Sequence, residues 1–280
     1  MHQGAHQAEA AAAEPEVDSE GFLLWAPEEA VRDTAASRAG LAAASDPALR
    51  ALAWKREGLT DKQKYEEDYA YPSDDLRLRG LVLKQRPFTQ EGFASTVWDS
   101  GIVMAKMAER WHLEDAATFT GRCLELGAGC GLVSAVLGRL CGPGARVVAT
   151  DLGVNLPLLS MNLGDAAEVR ALDWRRPETF GSETWDWIFA CDVWYEPSLM
   201  GDLVRCLERV ASPSTTVLIS CGRNRWGLDA FERELKQSRT FSMAAMAAAE
   251  LDPVYNSPDV DVYRLRRRTM GLRSRKRKGD

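Results

Sequence analysis

Glu125-Leu126-Gly127-Ala128-Gly129-Cys130-Gly131-Leu132 ends an apolar stretch at 122–126 and opens a helical pattern over 132–141. Gly127 and Gly129 allow a tight turn, and their missing Cβ atoms let backbone approach a ligand closely. The helix that follows presents free N–H groups at its start. Strand, glycine turn and helix in this order predict the first crossover of a doubly wound α/β domain. Outward from it the alternation continues. Residues 146–150, 168–172, 185–191, 215–221 and 260–265 read as strands, and 156–163, 199–210 and 228–236 as helices. Upstream, 78–83 with the segment to Phe88 suggests a short hairpin or strand, and Asp99 is expected to N-cap a helix running to about His112. Strands alternating with helices of about ten residues predict a mostly parallel, twisted sheet with helices on both faces. Such sheets bind ligands beyond the carboxyl ends of their strands, where the strand order switches.

The dinucleotide fingerprint G-x-G-x-x-G would need glycine at position 132, where this chain has Leu132. Here the third glycine, Gly131, comes one residue early, which suits a ligand without a pyrophosphate. Glu125, just before the turn, would repel phosphates, and is expected either to orient the turn or to attract a cationic ligand. S-adenosylmethionine carries an ammonium and a sulfonium, so an acidic turn makes electrostatic sense. Asp151 ends the next strand and can accept both ribose hydroxyls. Each piece alone also fits a plain glycine turn with a helix-capping aspartate. In this order they predict S-adenosylmethionine as cofactor of a class I, Rossmann-like methyltransferase fold.

The 280 residues divide into four stretches. Residues 1–20 read as a disordered, Ala-rich acidic tail. An extension of unassigned role spans 21–75, with helical patterns at 27–38 and 47–56. The methyltransferase domain is expected at 76–268 and a basic tail at 269–280. Net charge is −6, yet nine Lys and Arg lie between Arg264 and Lys278, so the body before them is clearly acidic. That argues against broad binding of nucleic acid or anionic membrane. No secretory signal opens the chain and no apolar run is long enough to span a bilayer. The six cysteines form no C-x-x-C pair and read as buried thiols in a reducing compartment, with no metal framework. A cytoplasmic location is expected. The cluster 273–278 also suits a nuclear import signal, or simply a solvated basic tail.

Four blocks make the chain resemble the seven-strand, non-SET protein-lysine methyltransferases grouped as methyltransferase family 16: Ser95-Thr96-Val97-Trp98-Asp99-Ser100, the glycine turn, Leu172-Asp173-Trp174, and Cys191-Asp192-Val193-Trp194-Tyr195. The similarity runs from about residue 92 to 266. Members of that family modify valosin-containing protein, Hsp70 chaperones and elongation factor 1-alpha. The resemblance implies a protein substrate of the chaperone, AAA ATPase or elongation factor class, met by a monomeric enzyme. It also implies that Trp98 and Cys191 line the cofactor pocket, that Trp174 lies against the adenine, and that Asp192 and Tyr195 stand where the lysine arrives. With Glu125, Gly127, Ala128, Gly129 and Asp151, these complete the expected site. Cys130 and Cys191 depart from the commoner Thr and Ala without removing a needed charge or donor.

Free lysine has a pKa near 10.4, so methylation needs a site that favours the neutral amine. A partly apolar pocket does this, and Trp98, Trp194 and Tyr195 are expected to add an aromatic wall that favours cations. Asp192 would stabilise the ammonium, so its expected part is orientation and binding rather than base catalysis. Two other classes compete. An N6-adenine methyltransferase carries D-P-P-Y, whose prolines hold a flipped base; Val193 and Trp194 stand there instead. A catalytically silent adaptor on the same fold would not need Asp151 and Asp192. A histidine-dependent hydrolase has only His2, His6 and His112 to draw on.

Overall fold

The computed structural model describes Trp54 and residues 59–268. The tail expected at 1–20, the helical pattern at 27–38, most of that at 47–56 and the basic tail at 269–280 lie outside the described residues. α1 (Asp61–Tyr65) starts with a capping box: Thr60 Oγ1 accepts from the Gln63 N–H at 3.2 Å, and Gln63 Oε1 accepts from the Thr60 N–H at 3.0 Å. β1 (Tyr69–Ala70) pairs antiparallel with β2 (Val82–Leu83). The hairpin suggested for 78–83 is therefore a two-residue ladder whose partner lies further upstream. Residues 59–75, inside the stretch read as an extension, pack onto the domain: Tyr71 is buried and its hydroxyl donates to Glu109 Oε2 at 2.7 Å.

After α2 (Phe88–Glu91) comes α3 (Asp99–Glu114), whose N-cap is Trp98. Asp99, expected as the cap, sits in the first helical turn instead, where a carboxylate still complements the helix dipole. The alternating part follows as β3 (Gly121–Leu126), α4 (Leu132–Cys141), β4 (Ala145–Asp151), α5 (Leu156–Leu163), β5 (Glu168–Ala171), β6 (Trp185–Cys191), α6 (Met200–Val210), β7 (Ala211–Gly222), α7 (Gly227–Ser238), β8 (Phe241–Ala245) and β9 (Val260–Arg267). The seven-stranded sheet has the order β5-β4-β3-β6-β7-β9-β8. All neighbours from β5 to β7 pair in parallel; β9 is antiparallel to both β7 and β8 and alone runs against the rest.

The strands are apolar on both sides because both sides are covered. Cys123, Val147, Ala149, Phe189 and Leu218 face a core shared with Ile102, Val103 and Met107 of α3 and Val136 and Leu137 of α4. Their neighbours Leu124, Val148, Ile188, Val217 and Ile219 face the opposite core, with Leu203 and Leu207 of α6 and Phe231 of α7. Side chains of a strand alternate between faces, so one continuous run of hydrophobics serves two layers. The strand order reverses between β3 and β6, which opens a crevice beyond their carboxyl ends. No helix among the described residues is long and apolar enough to cross a membrane.

Candidate active site

The turn between β3 and α4 is held from two sides. Gly127, Gly129 and Gly131 have φ values of 64°, 54° and 84°, in the left-handed region. A Cβ on Gly127 would stand 3.0 Å from Trp174 Cζ2, and one on Gly129 would stand 3.1 Å from the Ala94 carbonyl oxygen. Glycine is thus needed both for backbone conformation and for the packing around it. Glu125 Oε2 accepts from the Ser134 N–H at 2.9 Å and from its hydroxyl. The N-cap of α4 is Gly131, which has no side chain to offer, so a carboxylate from the preceding strand satisfies the N3 donor. Burial pushes the Glu125 carboxyl up to about 7 against the opposing pull of the Ser134 donors.

Asp151 closes the turn from the tip of β4. Its Oδ2 accepts from the Gly129 N–H at 2.8 Å; its Oδ1 accepts from the Leu152 N–H at 2.8 Å and from Asn155 Nδ2 at 2.6 Å. A carboxylate has about four acceptor positions, so the protein itself uses three.

All ten residues picked out from the sequence border one crevice of about 440 Å³: Trp98, Glu125, Gly127, Ala128, Gly129, Asp151, Trp174, Cys191, Asp192 and Tyr195. That volume suits a nucleoside-sized ligand. Ala128, Trp174 and Asp151 form its nearly closed floor, each less than a tenth exposed. Leu152 and Val154 stand at its rim and are exposed. Cys191, the last residue of β6, has its thiol pushed well up by burial and then by Glu125. Tyr195 lies at the lip, 36% exposed, with its ring 5.8 Å from that of Phe93.

Two expectations change. Trp194 is not part of the aromatic wall: it is 1% exposed and packs on Phe231 and Tyr263 at 5.1 and 5.3 Å. Its neighbour in sequence points to the crevice, so Trp194 must point to the core. The wall is completed instead by Phe93, which the sequence reading passed over. Its carbonyl accepts from Trp98 Nε1 at 2.9 Å and its ring lies 6.2 Å from the indole. An aromatic two residues before the S-T-V-W block was the available signal.

Asp192 holds the other surprise. It has φ 55°, a left-handed backbone that Asp tolerates better than most residues. Its carboxylate is not free: Arg225 donates from Nε to Oδ1 at 2.6 Å and from Nη2 to Oδ2 at 2.8 Å.

No ligand is needed to test whether S-adenosylmethionine fits this crevice. A turn with three glycines, a carboxylate at the second strand tip, apolar surfaces from Leu152, Val154 and Trp174, and the buried acid Glu125 fit its adenine, ribose and cationic end. The lysine methyltransferase family profile matches residues 78–238. The chain is 32% identical over 156 residues to the zebrafish (Danio rerio) protein N-lysine methyltransferase METTL21A, covering 52% of this chain and 68% of that one. It is 30% identical over 138 residues to the mouse (Mus musculus) protein-lysine methyltransferase METTL21E, covering 45% and 55%. The match thus spans about two thirds of one relative and about half of the other. Among solved structures, a TehB-like SAM-dependent methyltransferase from Corynebacterium glutamicum superposes with TM-score 0.47 at 14% identity, covering 65% of this chain and 92% of that one. With well over half its length inside the matched span, the chain belongs to the lysine methyltransferase family.

Proposed function

We propose that this chain transfers a methyl group from S-adenosylmethionine to the ε-amine of a lysine in a protein substrate. The observation that carries this reading is the single crevice in which the glycine turn, Asp151 and Trp174 at one end meet Asp192, Phe93, Trp98 and Tyr195 at the other. Family membership and the names of METTL21A and METTL21E support the lysine as acceptor.

Bound there, S-adenosylmethionine supplies an electrophilic methyl group for in-line transfer to a neutral amine. The chain's own residues hold and orient. Asp151 uses its remaining acceptor position on the ribose, and the bare Cα atoms of Gly127 and Gly129 let the turn fold close against Trp174 and Ala94, which line the same crevice. Phe93, Trp98 and Tyr195 give the acceptor end an aromatic lining whose faces receive the ammonium, while the exclusion of water there favours the neutral amine. Among the described residues no histidine borders the crevice. Positioning of donor and acceptor supplies most of the rate.

On the family resemblance, the substrate is a protein of the chaperone, AAA ATPase or elongation factor class, met in the cytoplasm by a monomer. The basic cluster at 273–278 adds nuclear import to this proposal. Purified chain, radiolabelled S-adenosylmethionine and a cell lysate test the activity directly. A labelled protein band whose label maps to lysine by mass spectrometry, and which fades with Asp151→Ala, is expected. Label found only in nucleic acid would overturn the reading.

A further inference from the structure

Asp192 stands in a wall shared by two cavities. On one side lies the crevice described above. On the other is a second cavity of about 400 Å³, which also borders Val97, Trp98 and Arg225. The Asp192 side chain is 8% exposed and that of Arg225 is 24% exposed. Their contact is bidentate, and the guanidinium also lies over the Trp98 indole at 5.3 Å. A planar fork on a carboxylate and a flat cation on an indole are both geometries that arginine fits and lysine does not. The Asp192 N–H is fixed as well, donating to the Ser220 carbonyl at 2.8 Å. Nothing in this arrangement is loose.

An uncompensated carboxylate in that wall would attract cations into the crevice. At the donor it would favour a sulfonium over a neutral thioether. At the acceptor it would favour an ammonium over the amine that reacts. Each effect stabilises the charged ground state, and binding of that kind does not lower the barrier.

We infer that Arg225 is a positioning residue that acts through Asp192: it cancels the carboxylate's charge, so this wall of the site orients a donor without adding its own pull on the positive charge. This rests on the proposed cofactor. It assigns Arg225, in the loop between β7 and α7, a part that no sequence motif above gives it. It also recasts Asp192, whose carboxylate shapes the wall while its charge is spent on Arg225.

Calorimetry with the full chain tests this without any acceptor. S-adenosylmethionine and S-adenosylhomocysteine differ by one methyl and one positive charge, so the ratio of their affinities reads the field at the sulfur. Arg225→Met is expected to shift that ratio about tenfold toward S-adenosylmethionine at low salt. Asp192→Asn, which leaves Arg225 uncompensated, is expected to shift it the opposite way. The double variant Asp192→Asn/Arg225→Met should return it close to wild type, and Arg225→Lys, which keeps the charge without the fork, should shift it less than Arg225→Met does. The opposite-sign shift keeps the test alive if Arg225→Met does not fold. A ratio unchanged in Asp192→Asn or Arg225→Met, with both ligands still bound, overturns the inference and leaves the proposed function standing. A wild-type chain that binds neither ligand overturns both.

Discussion

Glu125 on β3 accepts the backbone N–H of Ser134 in α4 at 2.9 Å, so the residue before the glycine turn caps the helix after it. The turn is clamped at its base by a buried acid that also borders the crevice. Its carboxyl, ordinarily near 4.5, is raised to about 7 chiefly by burial. A raised carboxyl pKa favours folding at low pH. The contribution is fully present below about 4.5 and is lost as pH climbs through about 7, a swing of about 3 kcal/mol. Chemical denaturation of the wild type between pH 5 and 8 should show this decline, and Glu125→Gln should flatten it.

The same group links pH to ligand binding. A cation in the crevice favours the ionised form of Glu125, so binding should release a proton near neutrality. Affinity for S-adenosylmethionine is expected to rise from pH 6 to pH 8, with heats that depend on buffer ionisation. In Glu125→Gln both dependences should vanish.

Asp151→Asn keeps the shape of the β4 tip but replaces an acceptor oxygen with a donor. Either the Gly129 N–H or the pair formed by Leu152 N–H and Asn155 then meets an NH2 group. We expect at least about a tenfold loss of S-adenosylmethionine affinity and about 1–2 kcal/mol of stability, read by calorimetry and thermal melting.

Gly127→Ala forces a side chain into a left-handed backbone and against Trp174. The expected cost is about 1–3 kcal/mol in thermal or denaturant unfolding. Displacement of Trp174 should weaken S-adenosylmethionine further. A variant with wild-type stability would show that the Trp174 contact is slack.

Far from the crevice, Lys106 and Glu109 of α3 are each 6% exposed and paired at 2.8 Å. Lys106 also donates to the Pro72 carbonyl and lies over the Tyr71 and Tyr255 rings at 4.4 and 4.5 Å. Glu109→Leu strands a buried ammonium and should cost about 3–5 kcal/mol. The double variant Lys106→Met/Glu109→Leu should recover much of that loss.

The crossover units were legible in the sequence because residues such as Val147, Val148, Val217 and Ile219 combine strand propensity with burial on both faces, and glycines or aspartates punctuate them. β8 was not: Phe241-Ser242-Met243-Ala244-Ala245 is an edge strand with only its first residue buried, and its alanines carry little strand signal. The glycine turn, Glu125 and Asp151 were legible because a turn and the next strand tip bring them together, whereas Trp98, Trp174, Cys191 and Tyr195 were legible through the family resemblance. What stayed hidden depends on direction and on distance in sequence. Trp194 and Tyr195 are adjacent yet face opposite ways. Arg225 lies 33 positions from the carboxylate it grips, in a loop without a motif of its own.

Three of about four acceptor positions on the Asp151 carboxylate are committed to Gly129, Leu152 and Asn155. If Asp151 receives a ribose as proposed, the sugar meets a carboxylate already oriented by three backbone and side-chain donors. Analogues that keep a hydroxyl at the remaining position should be accepted, while those that would need the carboxylate to turn must first dismantle the bend that defines the fold.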